Sequence, residues 1–498
     1  MEVNDIAEAA LTNGKKIQYV IKDNPPKGAM KYTYFTPDKS SVVQFFLNPK
    51  VGENPDWHKR MEAILGRYNP TISAEEGGAL GNSPQIADYF VKKFCWPTAL
   101  AEKPQFGIVC PSYPSNFFFD ATASKHIQLQ GRDKKSNWFT TRNRRYLEPY
   151  ELGDFKSMLQ ISLSLAQSIR KLHQSGLAHA DLSCNNVLID PPHAKCVVID
   201  IDSLVVPNIF PPQVAGTHGY IAPEVLETQN LPFGSAERKL PSTSTDLHAL
   251  AVLIYEYLCL RHPLIGPKVY SKEPEKDDYL MLGPKATFIE SPTDTSNRPK
   301  DLPFTIHDMG PDLEKLFLRA FSDGLHNPNQ RPTALEWEKG LLKAINLLYP
   351  CPNPHCGAKW FILYDTSKPV CPFCKQRIRT ENMVRLHFRT QRYGMTGQWI
   401  EVNTINAYHK MPLFSWHFYA NTFQDEKADH SLLAYIIKEN DQWLLVNHAI
   451  PDMTDPFGDS VPIGQAVILQ EGAVFWGSKS SNGLLIETER FHSSGFYP

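Results

Sequence analysis

The stretch LAHADLSCNNVLID, residues 177–190, sets a histidine, an aspartate and two adjacent asparagines between two apolar runs. Taken alone, an aspartate or asparagine near a helix end is most simply a cap, because its short side chain bonds orphan backbone groups. The flanks decide otherwise. Upstream, DFKSMLQISLSLAQSIRKLHQSG places Phe155, Met158, Leu159, Ser162, Leu165, Ala166, Ile169 and Leu172 on one helical stripe, and Gly176 stops it. Downstream, NVLID and CVVID read as two short strands. A long helix is therefore joined to a strand pair by a loop that carries His179, Asp181 and Asn186, with Asp200 in IDIDSL just beyond.

Composition limits what such a loop can belong to. With 498 residues and 42% hydrophobic content, the chain can bury several cores, and its length implies roughly two to four domains. Lysine plus arginine (51) nearly balances aspartate plus glutamate (53), so no global field draws in nucleic acid or acidic membrane. MEVNDIAEAALTNGKK has no apolar leader core, and ALAVLIYEYLCL, residues 249–260, is too short to span a bilayer and contains Glu256. A soluble, cytoplasmic protein without a nucleic-acid or membrane partner is expected. Nine cysteines are scattered singly until residue 351, and then four fall between 351 and 374, which points to metal rather than to disulfides.

From Lys15 to about Phe119 the runs KIQYVI, KYTYF, SVVQFFL and FGIVC read as antiparallel strands. One helix interrupts them: Asn54 is its cap, Pro55 its first turn, and Trp57, Met61, Ile64 and Leu65 its apolar face. Further helices are expected at TDLHALAVLIYEYLCL and PDLEKLFLRAF, with a surface excursion from Gly266 to Asp308 between them. Past residue 383, PLFSWHFY, LLAYII, QWLLVNHA, GQAVILQEG and GLLIETERF read as strands of an all-β region.

The central loop resembles the catalytic and metal-binding loops of eukaryotic-type (Hanks-type) protein kinases, which read H-R-D-x-x-x-x-N; His179, Asp181 and Asn186 keep that spacing. The resemblance implies that Asp181 accepts or orients the proton of the attacking hydroxyl, and that Asn186 and Asp200 hold magnesium beside ATP. Asp202 is the rival to Asp200 but lies farther from the family spacing. GTHGYIAPEV resembles the end of the activation segment, with Ala222, Pro223 and Glu224 as its A-P-E. Asp246 matches the residue that braces the catalytic loop, and Arg331 the ion-pair partner of Glu224. The implied architecture is α+β and bilobal.

The N-lobe departs from that pattern. Gln44 stands where a lysine should contact the α- and β-phosphates, and of the glycine-rich loop only Gly28 remains. KGAMKYTYF resembles instead the with-no-lysine kinases, in which a lysine on strand two serves; this assigns the role to Lys31, with Glu62 as its partner by helix position. Ala180 replaces the arginine of H-R-D, which argues against switching by loop phosphorylation. Ser183 replaces the lysine that contacts the transferred phosphate. Ile201 and Asp202 stand in place of phenylalanine and glycine.

CPNPHCGAKWFILYDTSKPVCPFCK brings Cys351, Cys356, Cys371 and Cys374 together as two knuckles of a structural four-cysteine zinc ribbon, with His355 as the weaker alternative to Cys356. The last strands resemble forkhead-associated domains, which read phosphothreonine; Asn447 fits one of their positions, but no G-R-S loop precedes it. A β-sandwich that docks a partner without phosphate fits equally well. The whole order resembles bacterial kinases associated with tellurite-resistance-type operons, which implies as partners a von Willebrand A-type protein and a metal-dependent phosphatase besides the protein substrate. The expected segments are an N-lobe at 1–119, a C-lobe at 120–349, a zinc ribbon at 350–382 and a β-sandwich at 383–498. Two readings follow: an ATP- and magnesium-dependent protein kinase, serine/threonine-specific, or a pseudokinase scaffold that binds nucleotide and partners.

Overall fold

The computed structural model describes residues 5–28, 30–206, 216–232, 234–367, 369–378, 383–392, 395, 397–424 and 428–491. They fall into two compact units. One comprises the described residues up to Gly153 with Leu165–Arg298 and Arg319–Leu335; the other comprises Asp154–Ser164, Pro299–Leu318 and the described residues from Glu336 on. Among the described residues no helix is long and apolar enough to cross a membrane.

The first unit opens with β1 (Ile6–Leu11), β2 (Lys16–Val20), β3 (Lys31–Phe35) and β4 (Ser41–Phe46), followed by β5 (Ala99–Lys103) and β6 (Gly107–Pro111). They form one antiparallel sheet in the order β2-β1-β5-β6-β4-β3. The sheet curls, because Tyr19 of β2 meets Tyr34 of β3 and Phe45 of β4 at ring-centroid distances of 5.3 and 5.4 Å around buried Ala9, Val43 and Ala101. Strands β1 and β5 lie outside the sequence expectation: IAEAAL and ALAEK are alanine-rich and gain their strand character from the neighbours they pair with.

Helix α1 (Pro55–Leu65) follows its sequence closely. The Asn54 Oδ1 accepts from the amides of Asp56 and Trp57 at 3.0 and 3.3 Å, and Trp57, Met61 and Ile64 are buried. A second helix, α2 (Pro84–Lys93), was not anticipated; it is capped by Ser83 and buries Ala87, Tyr89 and Phe90.

After the single turn α3 (Asn137–Thr140) comes α4 (Phe155–Gln174). Its expected stripe is buried throughout, but so is every residue from Ile161 to Ile169, so the helix is buried all round rather than amphipathic there. Its polar members find local partners: Ser162 donates to the Met158 carbonyl at 2.8 Å, and Ser168 is bonded to the Tyr89 hydroxyl at 2.9 Å. Gly176 ends the helix region at φ +75°, where a side chain would be strained. The hairpin of β7 (Val187–Asp190) and β8 (Lys195–Val198) follows, then α5 (Pro223–Thr228), α6 (Thr243–Cys259) and α7 (Pro274–Leu282).

The expected excursion from Gly266 to Asp308 is more than surface. It contains α7 and buries Phe288 and Ile289, and the ring of Phe288 lies 5.7 Å from that of Tyr255 in α6. Asn297 donates to the carbonyls of Leu264 and Thr287 at 2.9 and 2.7 Å, and a Cβ on Gly266 would stand 2.1 Å from its carbonyl oxygen. A few anchors fix a segment whose average composition is that of a loop.

In the second unit, α8 (Pro311–Leu318) packs Phe317 on Trp337 of α9 (Ala334–Asn346), with centroids 4.9 Å apart. A short pair, β9 (Leu348–Pro350) and β10 (Trp360–Ile362), flanks the first two cysteines, Cys351 and Cys356. Beyond it lie β11 (Val384–Gln391), β12 (Trp399–Ala407), β13 (Met411–Leu413), β14 (Ala434–Glu439), β15 (Gln442–Asn447), β16 (Ala466–Ile468), β17 (Val474–Trp476) and β18 (Leu485–Arg490). Two antiparallel sheets, β12-β11-β18-β17 and β13-β14-β15-β16, share a core that includes Leu386, Phe388, Ile436, Leu445 and Ile486.

Candidate active site

The residues at the centre of the 177–190 loop are held by a carboxylate beneath them. Asp246 of α6, itself buried, accepts from the backbone amides of His179 and Ala180 at 2.7 and 2.9 Å and is bonded to His173 Nε2 at 3.0 Å. That anchorage matters because Ala180 lies at φ +69° and Asp200 at φ +58°, left-handed conformations that cost a non-glycine residue of the order of 1 kcal/mol or more. The imidazole of His179 bonds the Ile199 carbonyl at 3.0 Å and so ties the loop to the end of β8.

Asp181 is oriented from two sides. Thr217 donates its hydroxyl to Oδ1 at 2.7 Å, and Asn186 donates Nδ2 to Oδ2 at 3.1 Å and to the Asp181 carbonyl at 2.8 Å. Asn186 thus commits its nitrogen to Asp181 and leaves its amide oxygen as the atom able to ligate a cation. Thr217 escaped sequence reasoning as a site residue, although it stands in the quoted GTHGYIAPEV: its hydroxyl reaches Asp181 only once the fold returns the segment to the loop.

The N-lobe lysine sits among acids. Lys31 is 9% exposed, and its Nζ lies 2.7 Å from Asp202 Oδ1 and 3.2 Å from Asp200 Oδ1. Burial disfavours its charge, but the two carboxylates outweigh burial and raise its pKa. Desolvation in turn works to raise the Asp200 carboxyl; the charge of Lys31 and its hydrogen bond overcome this and hold it lowered. Gln44 keeps apart from this group, donating to Thr33 Oγ1 at 3.3 Å. Gly28 donates its amide to the Lys31 carbonyl at 2.9 Å in the turn before β3.

Glu62 requires correction. It is exposed on α1, and Lys31 takes its acids from the turn after β8 instead. The reason is helical phase: α1 buries Trp57, Arg60, Met61 and Ile64, which leaves position 62 on the outer face. Val42, Gln44, Cys110, Tyr113, Asp200 and Asp202 line one cleft, so the two acids bonded to Lys31 face an apolar wall.

These features meet the comparisons at one point: a family model for the protein kinase domain matches residues 140–338. Residues 140–338 are thus similar to protein kinase domains. Similar proteins include the anti-Muellerian hormone type-2 receptor of Homo sapiens, 34% identical over 139 residues, which are 23% of this chain and 23% of the receptor. Serine/threonine-protein kinase ppk21 of Schizosaccharomyces pombe is 27% identical over 130 residues, 24% of this chain and 22% of that protein. The dual serine/threonine and tyrosine protein kinase of Gallus gallus is 26% identical over 124 residues, 25% of this chain and 12% of its own length. The chain thus spans under a quarter of the length of each. The matched kinase domain begins after the sheet that bears Lys31 and Gln44.

Within the matched stretch, Arg331 grips Glu224 with both arms, Nη1 to Oε1 at 2.8 Å and Nη2 to Oε2 at 2.7 Å, and it donates further to the carbonyls of Gly324 and Ser244 at 2.9 and 3.0 Å. The Arg331 side chain is 1% exposed, and that of Glu224 18%. Arg331→Ala should cost about 2–3 kcal/mol, a figure kept low because Glu224 reaches solvent. Arg331→Lys should recover little of it, since an ammonium cannot fill a bidentate site. Denaturant unfolding checks this, and equal midpoints for wild type and Arg331→Ala would refute it.

The four cysteines converge as well. All four sulfur atoms lie within 4.8 Å of one another, with Cys351 and Cys374 3.5 Å apart and Cys356 and Cys371 3.9 Å apart. His355 is exposed and stands outside the group. Asn447, matched in sequence to a phosphopeptide reader, is corrected by its surroundings. It is fully buried, donates to the carbonyls of Ile450 and Val461 at 2.7 and 2.8 Å, and accepts from the Ile450 amide, so it braces a loop and presents nothing to a ligand.

Proposed function

We propose that the chain is an ATP- and magnesium-dependent protein kinase that transfers the γ-phosphate to a serine or threonine hydroxyl of a protein substrate. The observation that carries this reading is the double hold on Asp181 by Thr217 and Asn186. A carboxylate fixed in this way can take a hydrogen bond from an incoming hydroxyl. Asn186 and Asp200 suit a hard cation through oxygen, since the Asp200 side chain is 40% exposed and Asn186 turns its nitrogen away. Bound magnesium would neutralise charge on the phosphates. Lys31 adds a cation from β3, and the apolar wall of the cleft suits a base. Incubating the purified chain with labelled ATP and magnesium tests the reading: label should pass to the chain itself or to a general protein acceptor. The pseudokinase reading rests on neutral Gln44 and on the engagement of Lys31 by two acids, and a chain that binds nucleotide but transfers no label would establish it.

The cysteine cluster fits zinc. A tetrahedral ion with Zn–S bonds of about 2.3 Å needs sulfurs about 3.8 Å apart, close to the 3.5 and 3.9 Å observed. Metal analysis should find one zinc per chain, and Cys371→Ser should destabilise the segment from 351 to 378 while the kinase domain still unfolds cooperatively. A metal-free protein with four titratable thiols in that segment would refute it. The β-sandwich is proposed as a docking module. The tellurite-resistance-operon type, the von Willebrand A-type and phosphatase partners and a cytoplasmic location are proposed on the sequence resemblance.

A further inference from the structure

A buried lysine that serves phosphates must be held by an acid, or burial strips its charge and rotamer freedom scatters it. Protein kinases take that acid from the N-lobe helix. Here α1 does not supply it: Glu62 faces out, and the buried charged residue of the helix is Arg60, 4% exposed. Lys31 is held instead by two acids of the turn after β8, Asp200 and Asp202. Asp202 is the closer of the two acids to Lys31, at 2.7 Å against 3.2 Å for Asp200.

The two carboxylates differ in access. The Asp202 side chain is 14% exposed and that of Asp200 40%. Between them Ile201 is 2% exposed and anchors a single helical turn, closed by the Leu204 amide on the Ile201 carbonyl at 3.1 Å. Both acids therefore bond the lysine, with Asp202 the closer and less exposed and Asp200 the more accessible.

Building on the kinase reading, we propose that Asp202 is the positioning residue for Lys31, doing from the turn after β8 what a helix-borne acid does elsewhere. Asp200 is left to the metal.

The test is a double-mutant cycle between Asp202→Asn and Lys31→Met, read as kcat and KM for ATP. Asp202→Asn should lower kcat at least about tenfold, because a misplaced cation loses the transition state before it loses substrate, and should weaken ATP binding by a smaller factor of about three. In the Lys31→Met background the same change should cost nothing further, since the cation that Asp202 positions is already gone. Asp202→Glu, which keeps the carboxylate, should restore part of kcat. Additive losses in the cycle, or a kcat for Asp202→Asn equal to wild type, would overturn the proposal. If the wild-type chain transfers no phosphate, the transferase reading fails by itself, and the cycle is read on Kd for a fluorescent magnesium–ATP analogue. Coupling there supports the Asp202–Lys31 pairing and additivity overturns it.

Discussion

Replacing Asp181 with alanine should lower phosphoryl transfer by about three orders of magnitude while nucleotide affinity stays close to wild type. The geometry separates the two effects. Asn186 loses one acceptor, Asp181 Oδ2, but keeps the Asp181 backbone carbonyl at 2.8 Å, so the amide oxygen offered to magnesium stays in place. Asparagine is the worse probe, because its amide nitrogen can face the Asn186 nitrogen, donor against donor, and displace the metal ligand. Asp200→Ala should act oppositely: magnesium-dependent nucleotide binding is lost, and Lys31 retains Asp202 at 2.7 Å as its counter-ion. Wild type, Asp181→Ala and Asp200→Ala can be compared for label transfer and for binding of an ATP analogue with and without magnesium. Three equal transfer rates would remove the catalytic reading and leave a scaffold.

Much of this site is legible in the chain because its parts are local. His179, Asp181 and Asn186 share one loop, and the helix before it and the strands after it declare themselves by periodicity and by Gly176. What escapes is phase and return. Glu62 and Arg60 are two residues apart on one helix, and only the packing of Trp57 and Met61 decides which faces inward. Thr217 and Asp202 act on residues that the fold, not the spacing, brings near. The burial of α4 on every side is hidden for a related reason: Ser162, Ser164, Gln167 and Ser168 break its apolar pattern, yet all are buried. In β11 the alternation Val384, Leu386, Phe388 against Arg385, His387, Arg389 is a strand signal, but its charged face masks it until Glu401 and Glu489 are seen to flank His387 at 3.0 Å each.

Lys31→Met should reduce transfer at least a hundredfold, the loss of a transition-state charge worth on the order of 3 kcal/mol, whereas Gln44→Ala should be mild. Strand register explains why a lysine can change strands without leaving the site. On the β3–β4 ladder Lys31 lies opposite Phe46 and Thr33 opposite Gln44. Lys31 and Thr33 share one face of β3, and Gln44 and Phe46 share the same face of β4, so positions 31 and 44 are diagonal neighbours on one surface of the sheet. Lys31 Nζ stands 5.7 Å from the Phe46 ring centre, and Gln44 lines the same cleft as Asp200 and Asp202. A lysine at 44 therefore starts within one side chain's reach of those acids. In the Lys31→Met background, Gln44→Lys should restore part of the lost transfer. Transfer rates of the two single variants and the double variant decide the matter: Lys31→Met as active as wild type, with Gln44→Ala inactive, would show that the phosphates are held from strand four by the neutral amide. Recovery by Gln44→Lys would show that the reaction needs an ammonium on this face of the sheet and is indifferent to which strand supplies it.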